Sequence, residues 1–276
     1  MNAEFVQIAV NGAAGRMGRQ LLLAIAERQE ASLAAAIDAP GSEAIGLDTS
    51  MLCGGEKHGV TVTDSVAAVL SDADVIIDFT APVVTLKLLE QLEGADTAVV
   101  IGTTGFDDEQ LRLLKNAATT RPIVFAPNYS IGVTVSLALL RQAAKALGDD
   151  YDVEVLEAHH RHKVDAPSGT ALAMGSAVAD ALDRDLKSCA VYGREGITGA
   201  RDKQTIGFAT VRAGDIIGEH TVLFAGNGER LELTHKATDR MTFSRGAVQA
   251  ALWLKTQPPG LYDMTHVLGL AGQEIN

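Results

Sequence analysis

The chain has 276 residues, of which 47% are hydrophobic and 21% charged, and its formal net charge is -12. This length and composition are typical of a globular protein with a full hydrophobic core and room for two domains. The negative charge excludes nucleic acid and anionic membranes as favoured partners, because the long-range field of the protein repels both. An anionic small molecule would need local positive charge in order to bind.

The cysteines and the amino terminus indicate the compartment. Cys53 and Cys189 are far apart and form no CxxC pair, so we expect reduced thiols and a cytoplasmic enzyme. The first residues lack the basic and apolar runs of a signal peptide. No apolar window reaches the roughly 18 residues that a transmembrane helix needs.

The first strand and helix are joined by a glycine turn. A short apolar run at 5–10 is followed by the residues 12–18 (GAAGRMG) and then by a segment of helical composition. Strand, glycine turn and helix form the context of a dinucleotide-binding fingerprint, although the spacing here is GxxGxxG instead of GxGxxG. The glycines would let the backbone approach a pyrophosphate at the helix N-terminus. A tight turn without a ligand is the alternative.

A second strand at 33–37 ends at Asp38, twenty residues beyond Gly18. An acidic residue at this distance from the glycine turn can accept hydrogen bonds from the adenosine ribose hydroxyls. Asp38 therefore strengthens the interpretation of the glycine turn as a dinucleotide site.

Strands and helices alternate through the first half of the chain. This alternation predicts an α/β fold with a Rossmann-like, doubly wound parallel sheet. The predicted elements after residue 40 are an edge strand at 60–62, strands at 73–79, 98–101 and 123–125, and helices at 83–92 and near 107–119.

Three loops of small polar residues follow these strands, at 78–82, 102–106 and 126–130. Ligands of such folds bind outside the carboxyl ends of the strands, where these loops lie. The backbone N–H and hydroxyl groups of Gly102, Thr103 and Thr104 could hold the nicotinamide half of a dinucleotide.

A long helix at 131–147 introduces a second, smaller α+β domain. The strand runs in this half are short and separated by glycine turns, which predicts hairpin connections and an antiparallel or mixed sheet. Asp239 would cap a last helix that packs back onto the first domain. The predicted ranges are strands at 205–211, 219–224 and 230–234, a first domain at 1–130 with 240–276, and a second domain at 131–239.

Basic and proton-donating residues concentrate at 159–163 (HHRHK), directly after the strand-like run at 153–156. Pro167 and Ser168 then indicate a helix start, whose N–H groups would attract a carboxylate or a phosphate. Donors beside an anion site suggest acid/base chemistry on a carboxylated or phosphorylated small molecule. The alternatives are a solvated surface loop, a nucleic-acid contact, or a metal site. The metal is disfavoured because no cysteine lies nearby and Asp165 is the only close carboxylate.

Together these motifs resemble the dihydrodipicolinate reductase family, over nearly the whole chain. The most specific of them is the signature at 157–170. The resemblance rests on residues 12–18, 78–80, 102–106, 126–130, 157–163 with 165–170, and 214–220.

The resemblance implies hydride transfer from NADH or NADPH to a cyclic, unsaturated imine dicarboxylate, in lysine and diaminopimelate biosynthesis. It also implies a homotetramer formed through the open sheet face of the smaller domain. The enamine left by hydride addition must be protonated. His159 and Lys163 are the expected catalytic donors, since imidazole titrates near neutral pH and a lysine crowded by cations loses its proton more easily. Arg161 and His162 are expected to be structural.

The resemblance also assigns binding residues to each ligand. The substrate carboxylates would be held by His160, Ser168, Gly169 and Thr170. The expected cofactor-binding residues are Gly12, Ala13, Ala14, Gly15, Arg16, Met17, Asp38, Gly102, Thr103, Thr104, Ala126, Pro127, Asn128 and Tyr129.

One position departs from the family pattern. Many members carry Arg after the acidic residue of the second strand, where this chain has Ala39. Alanine cannot neutralise a 2′-phosphate, so we expect NADH to serve at least as well as NADPH. Arg16 or Arg19 could partly substitute for the missing guanidinium.

Two rival functions share the predicted architecture. The first is another dehydrogenase, such as an amino-acid dehydrogenase acting on aspartate, which the HHRHK segment disfavours. The second is a dinucleotide-sensing regulator without catalysis. A sensor would need neither His159 nor Lys163, so the presence of both residues disfavours it.

Overall fold

A computed structural model describes residues 5–67 and 72–271. The chain divides into two compact units: unit 1 comprises Met1–Tyr129 and Met241–Asn276, and unit 2 comprises Ser130–Arg240. The outer ends of the predicted first domain, 1–4 and 272–276, lie outside the described residues. No helix in the described part of the chain is long and apolar enough to span a bilayer.

Unit 1 is built on a seven-stranded, wholly parallel sheet with the strand order β12-β6-β5-β4-β1-β2-β3. The predicted Rossmann-like parallel sheet is therefore confirmed. Its strands are β1 (Val6–Asn11), β2 (Ala31–Ile37), β3 (Val62–Thr63), β4 (Val75–Asp78), β5 (Ala98–Ile101), β6 (Pro122–Phe125) and β12 (Gly260–Tyr262).

Helices cover both faces of this sheet, so its central strands consist mainly of apolar residues. In β4, for example, Ile76 and Ile77 point to opposite faces and both are fully buried. The pair α3 and α4 packs over one face, and α1 packs with α8 over the other. The helices of unit 1 are α1 (Arg16–Ala26), α2 (Ser50–Cys53), α3 (Pro82–Gln91), α4 (Asp108–Ala117), α8 (Met241–Leu254) and α9 (Met264–Val267).

The C-terminal segment adds a strand as well as the predicted helix. After α8 the chain forms β12, which pairs in parallel with β6 at the edge of the sheet. Sequence analysis missed β12 because three residues are too few to show the alternation of a strand.

Unit 2 contains a five-stranded mixed sheet with the strand order β11-β10-β7-β9-β8. This confirms the predicted mixed sheet of the smaller domain. Two long helices, α5 and α6, cover one face of it. The elements are α5 (Ile131–Leu147), β7 (Asp152–His159), α6 (Gly169–Ala181), α7 (Leu186–Cys189), β8 (Ala190–Tyr192), β9 (Ile206–Arg212), β10 (Gly218–Ala225) and β11 (Arg230–Ala237), with a 3-10 turn at Gly148–Asp150.

One predicted hairpin is wrong. Strands β10 and β11 form a hairpin, but β9 and β10 do not pair with each other. Strand β7 lies between them, parallel to β9 and antiparallel to β10. The segment at 213–217 therefore passes over the carboxyl end of β7. A glycine turn shows where the chain reverses, but the choice of neighbouring strand depends on packing.

Candidate active site

The glycine turn of unit 1 lies at the centre of the parallel sheet, where the strand order reverses. Strand β1 has β2 on one side and β4 on the other, so a crevice opens at their carboxyl ends. Gly12 has a φ of +77°, and its amide and that of Ala13 both donate to the carbonyl of Ile37 at 2.9 Å. A Cβ on Gly18 would lie 2.1 Å from the carbonyl oxygen of Gly12, so helix and turn pack without side chains between them.

The helix that follows presents an unsatisfied N-terminus. Helix α1 starts at Arg16, and its N-cap Gly15 has no side chain to accept from the first-turn N–H groups. Such groups, with the positive end of the helix dipole, are a ready anion site. Arg16 is exposed and Met17 is half-buried at this end. The arrangement fits a pyrophosphate.

Asp38 lies beside the turn, as predicted from its distance along the sequence. Its carboxylate accepts from the backbone N–H of Ala14 at 2.6 Å and of Ala39 at 2.7 Å. Each carboxylate oxygen keeps one further lone pair for a ribose hydroxyl.

A cleft of about 330 Å3 extends from Asp38 along helix α3. Asp38 and Ala39 line one side and Lys87 the other, together with apolar residues of α3. Arg19 does not line this cleft, because its side chain donates to the carbonyls of Ala14 and Leu52 at 2.9 and 3.2 Å. The size and the mixed lining of the cleft fit an adenosine group.

The loops at the carboxyl edge are tied together by Asp78, a residue to which sequence analysis gave no role. It is fully buried at the end of β4. Its carboxylate accepts from Asn11 Nδ2 at 2.7 Å, Thr80 Oγ1 at 2.7 Å, Thr103 Oγ1 at 3.1 Å and the hydroxyl of Thr85. Burial raises the pKa of Asp78, although these hydrogen bonds oppose the shift. Asp78 thus connects the loops that follow β1, β4 and β5.

Two of the predicted cofactor residues turn their side chains inward. The Thr103 hydroxyl is buried between Asp78 and the amide of Thr80, from which it accepts at 2.9 Å. The Tyr129 hydroxyl donates to the carbonyls of Ile101 and Val124 at 2.8 and 3.1 Å. These two side chains support the loops, so they reach a cofactor only through the backbone.

The other predicted residues of these loops differ in exposure. Thr104 and Pro127 are exposed, Gly102 and Asn128 are half-buried, and Ala126 is buried. Because β5 and β6 are parallel neighbours, the two loops lie side by side at one edge of the unit 1 sheet.

In unit 2 the catalytic candidate on β7 lies on the face of the strand that packs into the core. Val153 and Val155 are fully buried under α5 and α6, and Glu157 and His159 follow on the same face. The period of two along a strand places all four side chains in one row. An apolar core row thus ends in a buried carboxylate and a buried imidazole.

Glu157 is the centre of a hydrogen-bond network. It accepts from His159 Nδ1 at 2.6 Å, from both terminal nitrogens of Arg212 at 2.8 Å and from the amide of Ser168 at 3.1 Å. Burial raises the pKa of Glu157, but the hydrogen bonds from Arg212 and His159 outweigh this effect and hold it below its usual value. The Glu157 carboxylate therefore links strand β7, the start of helix α6 and strand β9.

Lys163 lies on the loop after β7 and pairs with Asp165 at 2.8 Å. The Asp165 carboxylate thus partly offsets the positive charge that the sequence predicts around Lys163. The loop is anchored over the end of β7, since the amides of His160 and Arg161 donate to the carbonyls of Ile216 and Gly214 at 2.7 and 3.2 Å.

The remaining basic residues of the loop face different surroundings. Arg161 and His162 are exposed. The ring of His162 lies 6.2 Å from that of His160, whose Nδ1 is buried without a hydrogen-bond partner. Among the described residues, no group of three or more His, Cys, Asp or Glu is arranged to hold a metal ion.

Helix α6 begins as the sequence predicts. Ser168 is its N-cap, and the hydroxyl accepts from the amide of Ala171 at 3.1 Å and contacts His220 Nε2 at 2.9 Å. The Ser168 amide donates to Glu157, so the start of α6, with exposed Gly169 and half-buried Thr170, is held beside this carboxylate.

Three histidines of unit 2 have lowered pKa values because they are buried. Burial lowers the pKa of His159, and Lys163 and Arg212 act in the same direction, while Glu157 opposes them. Burial and the neighbouring His159 lower the pKa of His220 to about 4. The pKa of His235 is also lowered by burial. All three rings are therefore largely neutral near neutral pH.

Glu157, Arg212 and His220 form this site with His159, yet sequence analysis gave them no role. Glu157 had a detectable signal, since it is in phase with Val153 and Val155 on β7. His220 belongs to the motif at 214–220 that carries the family resemblance, but nothing local links it to His159. Arg212 had no signal, because it reaches the site only through strand pairing.

Comparisons with known proteins identify the family of this chain. Residues 6–129 match the N-terminal part of dihydrodipicolinate reductase, and residues 132–268 match its C-terminal part. The 4-hydroxy-tetrahydrodipicolinate reductases of Alkalilimnicola ehrlichii and Hahella chejuensis are each 59% identical to this chain over 264 residues, covering 96% of this chain and 99% of the relative.

A solved structure shares the fold. The dipicolinate-bound dihydrodipicolinate reductase of a Paenisporosarcina species has a TM-score of 0.72 and 23% identity, over 94% of this chain and 97% of that one. The match of both halves to one family excludes the rival dehydrogenase and the sensor. The chain belongs to the dihydrodipicolinate reductase family, and it is an oxidoreductase that reduces 4-hydroxy-tetrahydrodipicolinate with NAD(P)H in lysine biosynthesis.

Proposed function

We propose that unit 2 binds the substrate dicarboxylate at the start of α6 and on the neighbouring loop. One carboxylate would take the first-turn amides of Gly169 and Thr170, and His160 with Lys163 would face the other. The observation that supports this proposal is the hydrogen bond from the Ser168 amide to Glu157, which holds the helix start beside His159. The Paenisporosarcina relative binds dipicolinate, a dicarboxylate of the same class.

His159 and Lys163 are the proposed proton donors of the reaction. Bound NAD(P)H would supply hydride to the far carbon of the substrate's conjugated C=C–C=N system. The resulting enamine would then take a proton on carbon, which gives the imine product. Lys163, paired with Asp165, is one source of this proton. His159 is largely neutral without substrate because of its lowered pKa, and a bound dianion would favour its imidazolium form.

Unit 1 is the proposed cofactor domain. The first-turn amides of α1 would bind the pyrophosphate, and the cleft beside Asp38 would hold the adenosine. The backbone of the loops at 102–104 and 126–129 would contact the nicotinamide half.

The preference between the two dinucleotides follows from the charges around the ribose. Asp38 would pair with the 2′-hydroxyl of NADH and repel the 2′-phosphate of NADPH, and Ala39 offers no compensating charge. Arg19 is held by backbone carbonyls, whereas Arg16 is exposed and Lys87 lines the cleft. We expect the enzyme to accept both dinucleotides and to use NADH at least as well as NADPH.

The proposal is tested with freshly generated substrate, by following NADH and NADPH oxidation separately. Dissociation constants of both dinucleotides, measured by fluorescence without substrate, give a readout independent of turnover. A preference for NADPH of about tenfold or more in both measurements would contradict the role given to Asp38 and Ala39.

We also propose that the chain forms a homotetramer and lies in the cytoplasm. The face of the unit 2 sheet opposite α5 and α6 exposes Leu156 and Val211, which fits its burial in a homotetramer. Cys53 and Cys189 are both free thiols, as in reducing compartments such as the cytoplasm. Sedimentation at several protein concentrations tests the tetramer, and a polar substitution of Leu156 should weaken it.

A further inference from the structure

We propose that Glu157 and Arg212 are positioning residues for His159, fixing which ring nitrogen carries the proton and how the ring is oriented. Neither residue is assigned to the substrate. The proposal rests on the catalytic role proposed above for His159.

The first support is the saturation of the Glu157 carboxylate. Its Oε1 accepts from the Ser168 amide at 3.1 Å and from Arg212 Nη2 at 2.8 Å. Its Oε2 accepts from His159 Nδ1 at 2.6 Å and from Arg212 Nη1 at 2.8 Å. An ionised carboxylate can only accept hydrogen bonds. Nδ1 of His159 must therefore carry a hydrogen, which leaves Nε2 as the atom that exchanges a proton with a ligand.

The second support is the packing around the ring. His220 lies edge-on to His159 with the ring centroids 5.0 Å apart. A Cβ added to Gly218 would lie 3.0 Å from Nε2 and 3.6 Å from Cε1 of His220. Nε2 makes no hydrogen bond within the described residues, and it is not among their buried unpartnered atoms. The ring is held at Nδ1 and left open at Nε2.

Arg212 also supports the second proton donor. Its Nη2 donates to the backbone carbonyl of Asp165 at 2.6 Å, and the Asp165 carboxylate pairs with Lys163 at 2.8 Å. One guanidinium therefore connects the strand that carries His159 with the loop that carries Lys163. The charged and titratable groups around His159 are Glu157 on β7, Lys163 on the loop, Arg212 on β9 and His220 on β10.

The test is the variant Glu157→Gln. A glutamine can still accept from Arg212, but its amide N–H would face Nδ1 and move the ring hydrogen to Nε2. We expect kcat to fall by about 10²–10⁴-fold, with the substrate KM within about threefold. Loss of the carboxylate also disfavours imidazolium, so the basic limb of the kcat–pH profile should move to lower pH.

The matched control is Glu154→Gln. Glu154 lies on the same strand but on the opposite face, where it pairs with both terminal nitrogens of Arg194 at 3.0 and 2.8 Å and with Arg201 Nε at 3.0 Å. This variant removes the same charge and the same kind of ion pair without touching His159. We expect its kcat to stay within about twofold of the wild type.

The ring tautomer gives a readout that a merely structural role would not change. Nitrogen chemical shifts of wild-type His159, measured where the ring is neutral, should show hydrogen on Nδ1, and in Glu157→Gln on Nε2. Hydrogen on Nε2 in the wild type overturns the proposal, even if the variant does not fold. If Glu157→Gln shows full turnover while the turnover of His159→Gln is impaired, the positioning proposal is overturned and the proposed function is left intact. Full turnover of His159→Gln refutes the catalytic role itself.

Discussion

Buried His220 should make the stability of this protein depend on pH. The residue is 4% exposed, its Nε2 contacts the Ser168 hydroxyl at 2.9 Å, and its Nδ1 is buried without a partner among the described residues. Protonation would put a hydrogen on both ring nitrogens, although Nδ1 has no acceptor within the described residues, and burial accordingly lowers the pKa of His220 from 6.5 to about 4. The perturbation that tests this reasoning is His220→Gln, which removes the titrating group.

The size of the effect follows from the two pKa values. Above about pH 6.5 the ring is neutral in the folded and the unfolded chain, so it contributes no pH dependence. Between 6.5 and about 4 the unfolded chain binds a proton that the folded chain does not, so stability falls as the pH falls. The full gap corresponds to about 3 kcal/mol, of which about 2 kcal/mol falls between about pH 7 and pH 5.

The assay is urea unfolding of the wild type and the variant at several pH values between about 5 and 7, at one protein concentration. His159 and His235 have pKa values lowered in the same direction, but they are present in both proteins and largely cancel in the difference. The wild type should lose about 2 kcal/mol more than His220→Gln over this range. Parallel pH dependences, or a folded-state pKa of His220 near 6.5 in an NMR titration, would refute the reasoning.

Four further outcomes are expected. Lys163→Ala and His159→Gln should each lower kcat by about 10²–10⁴-fold with unchanged circular dichroism, and full activity of the double variant would remove both from the mechanism. Thr170→Val should raise the substrate KM more than it lowers kcat, because it replaces the Thr170 hydroxyl with a methyl group beside the proposed carboxylate site; an unchanged KM would contradict a role of this hydroxyl in binding. Ala39→Arg should shift the kcat/KM ratio toward NADPH by about tenfold to a hundredfold, and no shift would mean that another cation dominates. Gly18→Ala should destabilise the protein by about 1–3 kcal/mol in thermal unfolding, since its Cβ would lie 2.1 Å from a backbone oxygen of the glycine turn; an unchanged melting temperature would contradict the packing.

The architecture of unit 1 could be predicted from the sequence because its signals are local. The buried parallel strands are mainly apolar runs, such as the first three residues of β4, and β1, β4 and β5 are each followed by a helix. The glycine turn and Asp38 are also local features, since the distance between them along the chain is set by one helix and one strand. The same holds for Ser168, whose capping role depends only on the residues that follow it.

The partners of the catalytic candidates were decided only by the tertiary structure. His159 is paired with a carboxylate two residues earlier, but that carboxylate is held by Arg212, 55 positions away from it. This pair forms because β7 lies between β9 and β10, an order that no local pattern encodes. Likewise Asp78 meets Asn11 across 67 positions. A sequence determines which residues alternate along a strand, whereas cross-strand neighbours follow from the strand order, which the packing of the whole sheet selects.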